Sequence, residues 1–213
     1  MSNSQPGSEH FNFGEYTTKR RWNSYWHQLD EALAVHPTTC LVVGGGDAIV
    51  PRVLREAGVS VTVVDVVDEL GPDVVADVRD MPFVDGQFDV VLCCQVLEHI
   101  PFESVPEAIR ELRRVLRGRL VISLPDQSRT VTFDFRVGNR RLFKRLAIDR
   151  KSEWHFNGVH HWELGNRSFP RPAVRSLLEQ AFVVDREYLV DENSYHRFFV
   201  LTPRIKAPGL VGG

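Results

Sequence analysis

The chain has 213 residues, 43% of them hydrophobic and 25% charged, a balance that belongs to a folded globular protein and excludes a disordered or fibrous one. A formal charge of -2 excludes a chain that coats nucleic acid through its overall charge and leaves room only for local basic patches. No apolar run approaches the roughly 18 residues that span a bilayer, "MSNSQPGSEH" is not a signal sequence, and the three cysteines (Cys40, Cys93, Cys94) lack CxxC spacing, so a reducing, cytoplasmic setting is expected.

Residues 1–15 carry no periodic pattern and are expected to be flexible. In "TTKRRWNSYWHQLDEALAVHP", Trp22, Tyr25, Trp26, Leu29 and Leu33 recur at helical spacing with Pro37 just beyond, which predicts an amphipathic cap helix over 17–35. Apolar runs and helical segments then alternate: strand 39–43, helix 48–57, strand 60–65, a short strand 73–76, strand 88–94, helix 104–117 and strand 119–124. Continuous Val, Ile and Leu runs separated by helices are the pattern of a parallel sheet covered on both faces. Residues 126–168 break the rhythm, being polar, aromatic and basic at once, and are read as an insertion with some helix near 137–147. "RPAVRSLLEQA" is helical. "FVVDREYLV" and "YHRFFVLTP" are strands joined by the turn-like "DENS", so the last strand, about 196–202, is expected to run antiparallel to the others. Residues 206–213 are Gly-rich and expected to fray, which leaves one domain over 16–205.

The run "CLVVGGGDAIV", residues 40–50, ends a strand on three glycines. A phosphate-cradling loop needs Gly-Lys-Ser/Thr after such glycines, and none follows, so a kinase or NTPase is excluded. The dinucleotide pattern GxGxxG is met at Gly44 and Gly46, while Ile49 holds the third glycine position. Asp65 ends the second strand in "VTVVDVV", about 20 residues after the loop, where a carboxylate accepts from both hydroxyls of an adenosine ribose. A solvated loop acid or a helix cap has the same local sequence.

The stretch "ADVRDMPFVDGQFDVVLCCQVLEHI", residues 76–100, separates adenosine cofactors from one another. With Gly44 and Gly46, Asp65, Asp77, "DMPFVDGQFD" and "LEH" at 97–99 in this order, residues 39–125 resemble the class I S-adenosylmethionine-dependent methyltransferases, most closely the type 11-like, small-molecule branch. The resemblance implies an α/β fold, a Rossmann-like, doubly wound, seven-stranded sheet in three αβα layers, mostly parallel with an antiparallel last strand. It also implies S-adenosyl-L-methionine as cofactor. Gly44, Gly45 and Gly46 would then approach the methionyl part, Asp65 with Val66 beside it would hold the ribose, Asp77 and Val78 would meet the adenine, and Gln95 would stand where cofactor and acceptor meet. The sequence departs from the family at Val43, where an acid usually ends the first strand, at Ala48, which replaces the last loop glycine, and at Gly118-Arg119, a reduced two-glycine turn; Asp47 is the acid available inside the loop to compensate for Val43.

Methyl transfer needs an aligned acceptor and a group to take its proton. His99 is one candidate base. The cluster "EWHFNGVHHWELG", 153–165, supplies His160 and His161, with Trp154 and Trp162 as expected pocket walls and His155 and Glu163 nearby. Because HHxE lacks the i, i+4 pairing of hydrolytic zinc sites, no metal site is expected there. Eight Lys/Arg between 129 and 151 suggest an anionic partner (a phosphorylated or carboxylated acceptor, RNA or an acidic membrane surface, with nucleic acid not preferred) or else a solvated helix face, and the stretch 136–151 is expected to face the same opening. The acceptor is expected in a cleft between the cap helix (Trp22, Tyr25, Trp26), Gln95, His99 and the 155–163 loop. An NAD(P)-dependent oxidoreductase and a non-catalytic scaffold of the same fold remain the alternatives.

Overall fold

The computed structural model describes residue 11 and residues 13–204; the segments 1–10, 12 and 205–213 lie outside the described residues, and with them most of the expected flexible N-terminus and frayed C-terminus. A one-turn helix α1 (Phe13–Tyr16) leads to α2 (Lys19–Leu33), whose first turn is capped by Thr18, its hydroxyl accepting from the Arg21 N–H. Then come β1 (Thr39–Val43), α3 (Ile49–Glu56), β2 (Ser60–Asp65), the short β3 (Val74–Val75), β4 (Phe88–Cys94), α4 (Val105–Val115) and β5 (Leu116–Pro125). β6 (Arg129–Val137) and β7 (Arg140–Ile148) follow, and α5 (Arg171–Leu178), β8 (Phe182–Leu189) and β9 (His196–Pro203) close the chain.

Seven strands form one sheet in the order β3-β2-β1-β4-β5-β9-β8. β3, β2, β1, β4 and β5 are parallel, and β9 runs antiparallel to both of its neighbours, as the "DENS" hairpin predicts. The apolar run Cys40–Val43 of β1 follows from burial on both faces: Cys40 and Val42 pack with Tyr25, Val50 and Leu54 of α2 and α3, whereas Leu41 and Val43 pack with Ile109, Leu112 and Leu178 of α4 and α5. Each fully buried Leu or Val contributes about 1.5–3 kcal/mol of transfer free energy, so this double cover is what holds the central strands. Between β4 and β5 the register slips near Phe88, and Gly118 sits there because a Cβ would lie 2.5 Å from the Asp89 carbonyl oxygen. The expected turn at Gly118-Arg119 is thus part of β5, with Gly118 at its register slip.

The expected helix near 137–147 is absent. In its place β6 and β7 pair as a two-stranded antiparallel ribbon from Arg129↔Ile148 to Val137↔Arg140. The sequence contains the signal: "TVTFDFRV" alternates with period two, and Gly138-Asn139 is a two-residue hairpin turn with Gly138 at φ +57. The dense basic residues "RRLFKR" favoured the helical reading, but strand pairing across the tight turn wins. Val131, Phe133, Phe135 and Val137 alternate along β6 and are all exposed, as are Leu142, Leu146 and Ile148 of β7. After the ribbon the chain returns to the domain, where Trp162 and Leu164 are fully buried in the core beside α4 and α5.

β1 has β2 on one side and β4 on the other, and the helices that follow β1 and β4 cover opposite faces. Ligands of open α/β sheets lie beyond the carboxyl ends of the strands at this switch point. The segments that leave there are 44–48 and 95–99.

Candidate active site

Beyond the carboxyl ends of β1, β2 and β4 lies a cavity of about 820 Å³. Gly44, Gly45, Gly46, Asp47, Asp65, Val66, Asp77, Val78, Gln95, His99 and His160 all line it, which brings together every residue expected on the cofactor side and two of the three candidate bases.

The glycine run is shaped first by the protein itself. Gly44 has φ +78, and a Cβ there would sit 2.6 Å from Val96 Cγ2; a Cβ on Gly45 would sit 2.8 Å from Val63 Cγ1. Gly46, at φ +51, has only the Phe11 ring within 4 Å of such an atom. The loop thus needs glycine for packing at two positions and for backbone conformation at Gly44 and Gly46. Ala48 also adopts a left-handed conformation, φ +59, without the freedom of glycine.

The carboxylate of Asp65 braces this loop. Its Oδ2 accepts from the Gly45 N–H at 3.0 Å and its Oδ1 from the Val67 N–H at 3.0 Å. Each oxygen keeps a second lone pair, so the brace leaves acceptor capacity on the cavity side for a diol. Asp77 is held by Arg79, whose backbone N–H and Nε donate to Oδ1 and whose Nη2 donates to Oδ2 at 2.7 Å, and these bonds draw its carboxyl below the usual range. Asp47 ties the loop to the N-terminal helices: its Oδ2 accepts from Thr17 Oγ1 at 2.9 Å and from the Tyr25 hydroxyl at 2.6 Å, while Oδ1 accepts from the Ile49 N–H. Burial, then the hydrogen bond to Asp47, pushes the Tyr25 phenol above its ordinary value. Val43, where an acid was missing, is buried, and Asp47 is the carboxylate beside the turn.

On the opposite wall Gln95 takes φ +57, its N–H donating to Ser123 O and its side-chain Nε2 to Ser123 Oγ. Past it, Glu98 is fully buried, neither carboxylate oxygen has a hydrogen-bond partner, and burial pushes its carboxyl up to about 8. The His99 and His160 rings meet edge to face with centroids 4.9 Å apart. His160 Nδ1 pairs with Glu163 Oε1 at 2.7 Å, and the Tyr195 hydroxyl donates to the same oxygen at 2.7 Å. Burial lowers His160, but the Glu163 bond and the nearby Glu98 and Glu163 charges outweigh it, so its pKa is raised.

Several expected residues stand elsewhere. His161 is not on the cavity wall; its ring packs on Phe156 and its N–H donates to the Glu98 carbonyl. Trp162 is a core residue whose Nε1 donates to Leu97 O, and Trp154 Nε1 donates to His161 O, so neither tryptophan walls the cavity. Of the cap-helix aromatics Tyr25 lines it, whereas Trp22 and Trp26 are half-exposed outside. Among the described side chains, no basic residue of 129–151 lines the cavity; Arg145 donates to the carbonyls of Val190 and Asp191, and Arg150 to that of Gln127. The cations on the wall are Arg21 and Arg79, neither of which was expected there. Arg21 was hidden in the basic start of a helix read only for its aromatics. Glu98, the acid of "LEH", has a sequence signal of its own, because it interrupts the apolar run around Leu97 and Ile100.

Residues 41–122 match the family described as the methyltransferase domain. The sheet order, the antiparallel β9 and the placing of Gly44–Gly46, Asp65, Asp77 and Gln95 at the switch point agree with that match. Residues 41–122 are a class I S-adenosylmethionine-dependent methyltransferase domain. An uncharacterised protein of Methanocaldococcus jannaschii is 30% identical over 119 residues, covering 53% of this chain and 52% of its own length, so the chain spans about half of that curated relative. Among solved structures, a protein of Pyrococcus horikoshii superposes with a TM-score of 0.64 at 18% identity over 91% of this chain and 93% of its own. The 1,6-didemethyltoxoflavin N1-methyltransferase of Burkholderia thailandensis, solved with its substrate and S-adenosylhomocysteine, gives 0.62 at 18% identity over 92% and 84%. The family's cofactor is S-adenosylmethionine, and the residues present fit it: one cavity of about 820 Å³ has the Gly44–Gly46 turn and the carboxylates of Asp65 and Asp77 on its wall. No helix among the described residues is long and apolar enough to cross a membrane.

Proposed function

We propose that the protein transfers a methyl group from S-adenosylmethionine to a small, anionic acceptor. The observation that carries the reading is that one cavity joins Asp65, Asp77 and Gly44–Gly46 to the His99 and His160 wall, so that a donor half and an acceptor half are continuous. When bound, the cofactor supplies an activated methyl group on sulfur. Asp65 holds the ribose through the lone pairs its backbone bonds leave over, Asp77 and Val78 meet the adenine, and the 44–47 turn receives the methionyl end. Phe11, Tyr16 and Tyr25 cover the opening from the N-terminal side, exclude water and fix the approach of the acceptor. His99 and His160 are the basic groups on the acceptor wall. Arg21, stacked 3.7 Å over the Tyr16 ring with its Nη1 donating to the Tyr16 hydroxyl, is the cation that would hold an anionic group; this role passes to it from the 129–151 segment.

Residues 16–205 are read as one unit with the ribbon as an excursion from it, because Trp162 and Leu164 beyond the ribbon complete the core. The free thiols of Cys40 and Cys93, both buried, support a reducing, cytoplasmic setting. No feature of the site favours an oxidoreductase or a scaffold. Calorimetric titration with S-adenosylhomocysteine and with NAD tests the reading: saturable binding of the first and none of the second is expected, and the reverse would overturn it.

A further inference from the structure

Glu98, His99 and His160 come from opposite sides of the acceptor half of the cavity, and one potential ligand atom from each lies within 4.8 Å of the other two. We propose that these three side chains bind a divalent transition-metal ion, of the Zn²⁺, Mn²⁺ or Fe²⁺ class, whose remaining positions take an oxygen of the acceptor. The second half of this statement rests on the methyltransferase reading; the first does not.

Four observations carry it. Glu98 is fully buried with both carboxylate oxygens unpartnered and faces the two imidazoles, an arrangement that is costly unless a cation or proton completes it. His160 is oriented as metal-bound histidines are: its Nδ1 is engaged by the carboxylate of Glu163, which is itself steadied by Tyr195, so that Nε2 is the nitrogen offered. His99 has Nδ1 at 3.3 Å from the Val159 carbonyl, a second contact that fixes a ring plane. The frame is rigid as well, because the 159–163 segment is bolted to the 97–99 turn by His161 N–H to Glu98 O at 2.8 Å and Trp162 Nε1 to Leu97 O at 3.0 Å.

Ligands about 2.0–2.2 Å from a metal lie roughly 3–3.5 Å from one another, so the three groups need to close by an ångström or so, a side-chain rotation rather than a backbone movement. Two neutral imidazoles and one carboxylate leave a net positive centre with open positions, and nitrogen-plus-oxygen donors select borderline metals over Ca²⁺ or Mg²⁺. The HHxE cluster lacks metal spacing in sequence because only its His160 is a ligand; the other two come from "LEH", some 60 residues earlier. The metal and the cofactor share the cavity but not residues, since Gln95 and the 44–47 turn lie on the donor side.

The test uses the full-length, untagged protein stripped with a chelator, and titrates it with Zn²⁺, Mn²⁺ and Co²⁺ separately by calorimetry, recording the visible spectrum in the Co²⁺ case. One equivalent is expected, with a Co²⁺ spectrum free of thiolate charge transfer. Glu98→Gln and His160→Gln should each weaken binding at least tenfold, while His155→Gln and His36→Gln stay within twofold. S-adenosylhomocysteine affinity, measured on every variant, should stay within threefold, which both certifies folding and separates failure of the metal site from failure of the methyltransferase reading. If the variants do not fold, the wild-type stoichiometry and spectrum still decide. Absence of saturable binding of all three ions, a thiolate-bearing Co²⁺ spectrum, or equal losses in the His155 and His36 variants would overturn the proposal.

Discussion

Asp65→Asn removes one negative charge and one acceptor edge while keeping the size of the side chain. In the native protein each carboxylate oxygen accepts a backbone N–H, from Gly45 and from Val67, both at 3.0 Å. The amide can serve one of these and must point an NH₂ group at the other, so one charge-assisted bond is lost, worth about 1.5–3 kcal/mol, and the unliganded protein should lose about that much stability. A ribose diol draws on the remaining lone pairs of the same two oxygens, and here too one bond to a charged acceptor disappears. The second loss, again about 1.5–3 kcal/mol, corresponds to a fall of roughly 10- to 150-fold in affinity for S-adenosylhomocysteine. The two effects separate in experiment: urea unfolding of the ligand-free protein reads the first, and calorimetric titration well below the unfolding transition reads the second. If stability falls as reckoned while affinity stays within twofold, Asp65 is a loop brace only and the ribose assignment is wrong.

Ala48→Gly should stabilise the protein by about 0.5 kcal/mol, since relief of a left-handed alanine at φ +59, worth about 1–2 kcal/mol, exceeds the entropy glycine adds to the unfolded chain; a lower melting temperature for the variant would contradict the strain argument. Stability should fall on acidification because of His196, which burial, and then the Arg21 charge, hold at about 3 with its Nδ1 unpartnered. The sign is fixed by proton counting: between 6.5 and about 3 the unfolded chain binds a proton that the folded one refuses, so stability rises with pH through this window and is complete above 6.5. The loss at pH 5 is about 2 kcal/mol at most, and His196→Gln should flatten the unfolding profile from pH 5 to 7; an unchanged slope would remove His196 as its cause.

How much of this was legible in the sequence depends on how far apart the determinants lie. The parallel strands, their covering helices and the cofactor edge rest on short-range patterns: apolar runs of strand length, glycines directly after β1, an acid at the end of β2 and another just beyond β3. Their bounds agree with the reading to within a residue or two, except β5, which starts at Leu116 instead of 119 because the Phe88 bulge lengthens its pairing. The β6–β7 ribbon was misjudged because residue composition was given weight over the alternation and the Gly138-Asn139 turn. Val43 and Ala48 depart from the family pattern, yet Gly44, Gly46 and Ala48 all turn the chain with positive φ. Asp47, anchored by Thr17 and Tyr25, carries the N-terminal helices across it, so the departure from the family pattern is coupled to the cap.

The acceptor wall was only half legible, for a reason of chain geometry. His99 and His160 were each singled out, but from separate motifs with no local cue that they meet, while His161, one residue from His160, was given the same role. The two adjacent rings part company here: His160 lines the cavity, whereas the His161 ring packs on Phe156. The selection is made by Trp162: its burial in the core and its bond to Leu97 O fix the phase of the segment, turning the His160 ring to Glu98 and His99 and the His161 ring out onto Phe156. Trp162, expected on the pocket wall, therefore acts from behind it, as the anchor that decides which histidine lines the cavity.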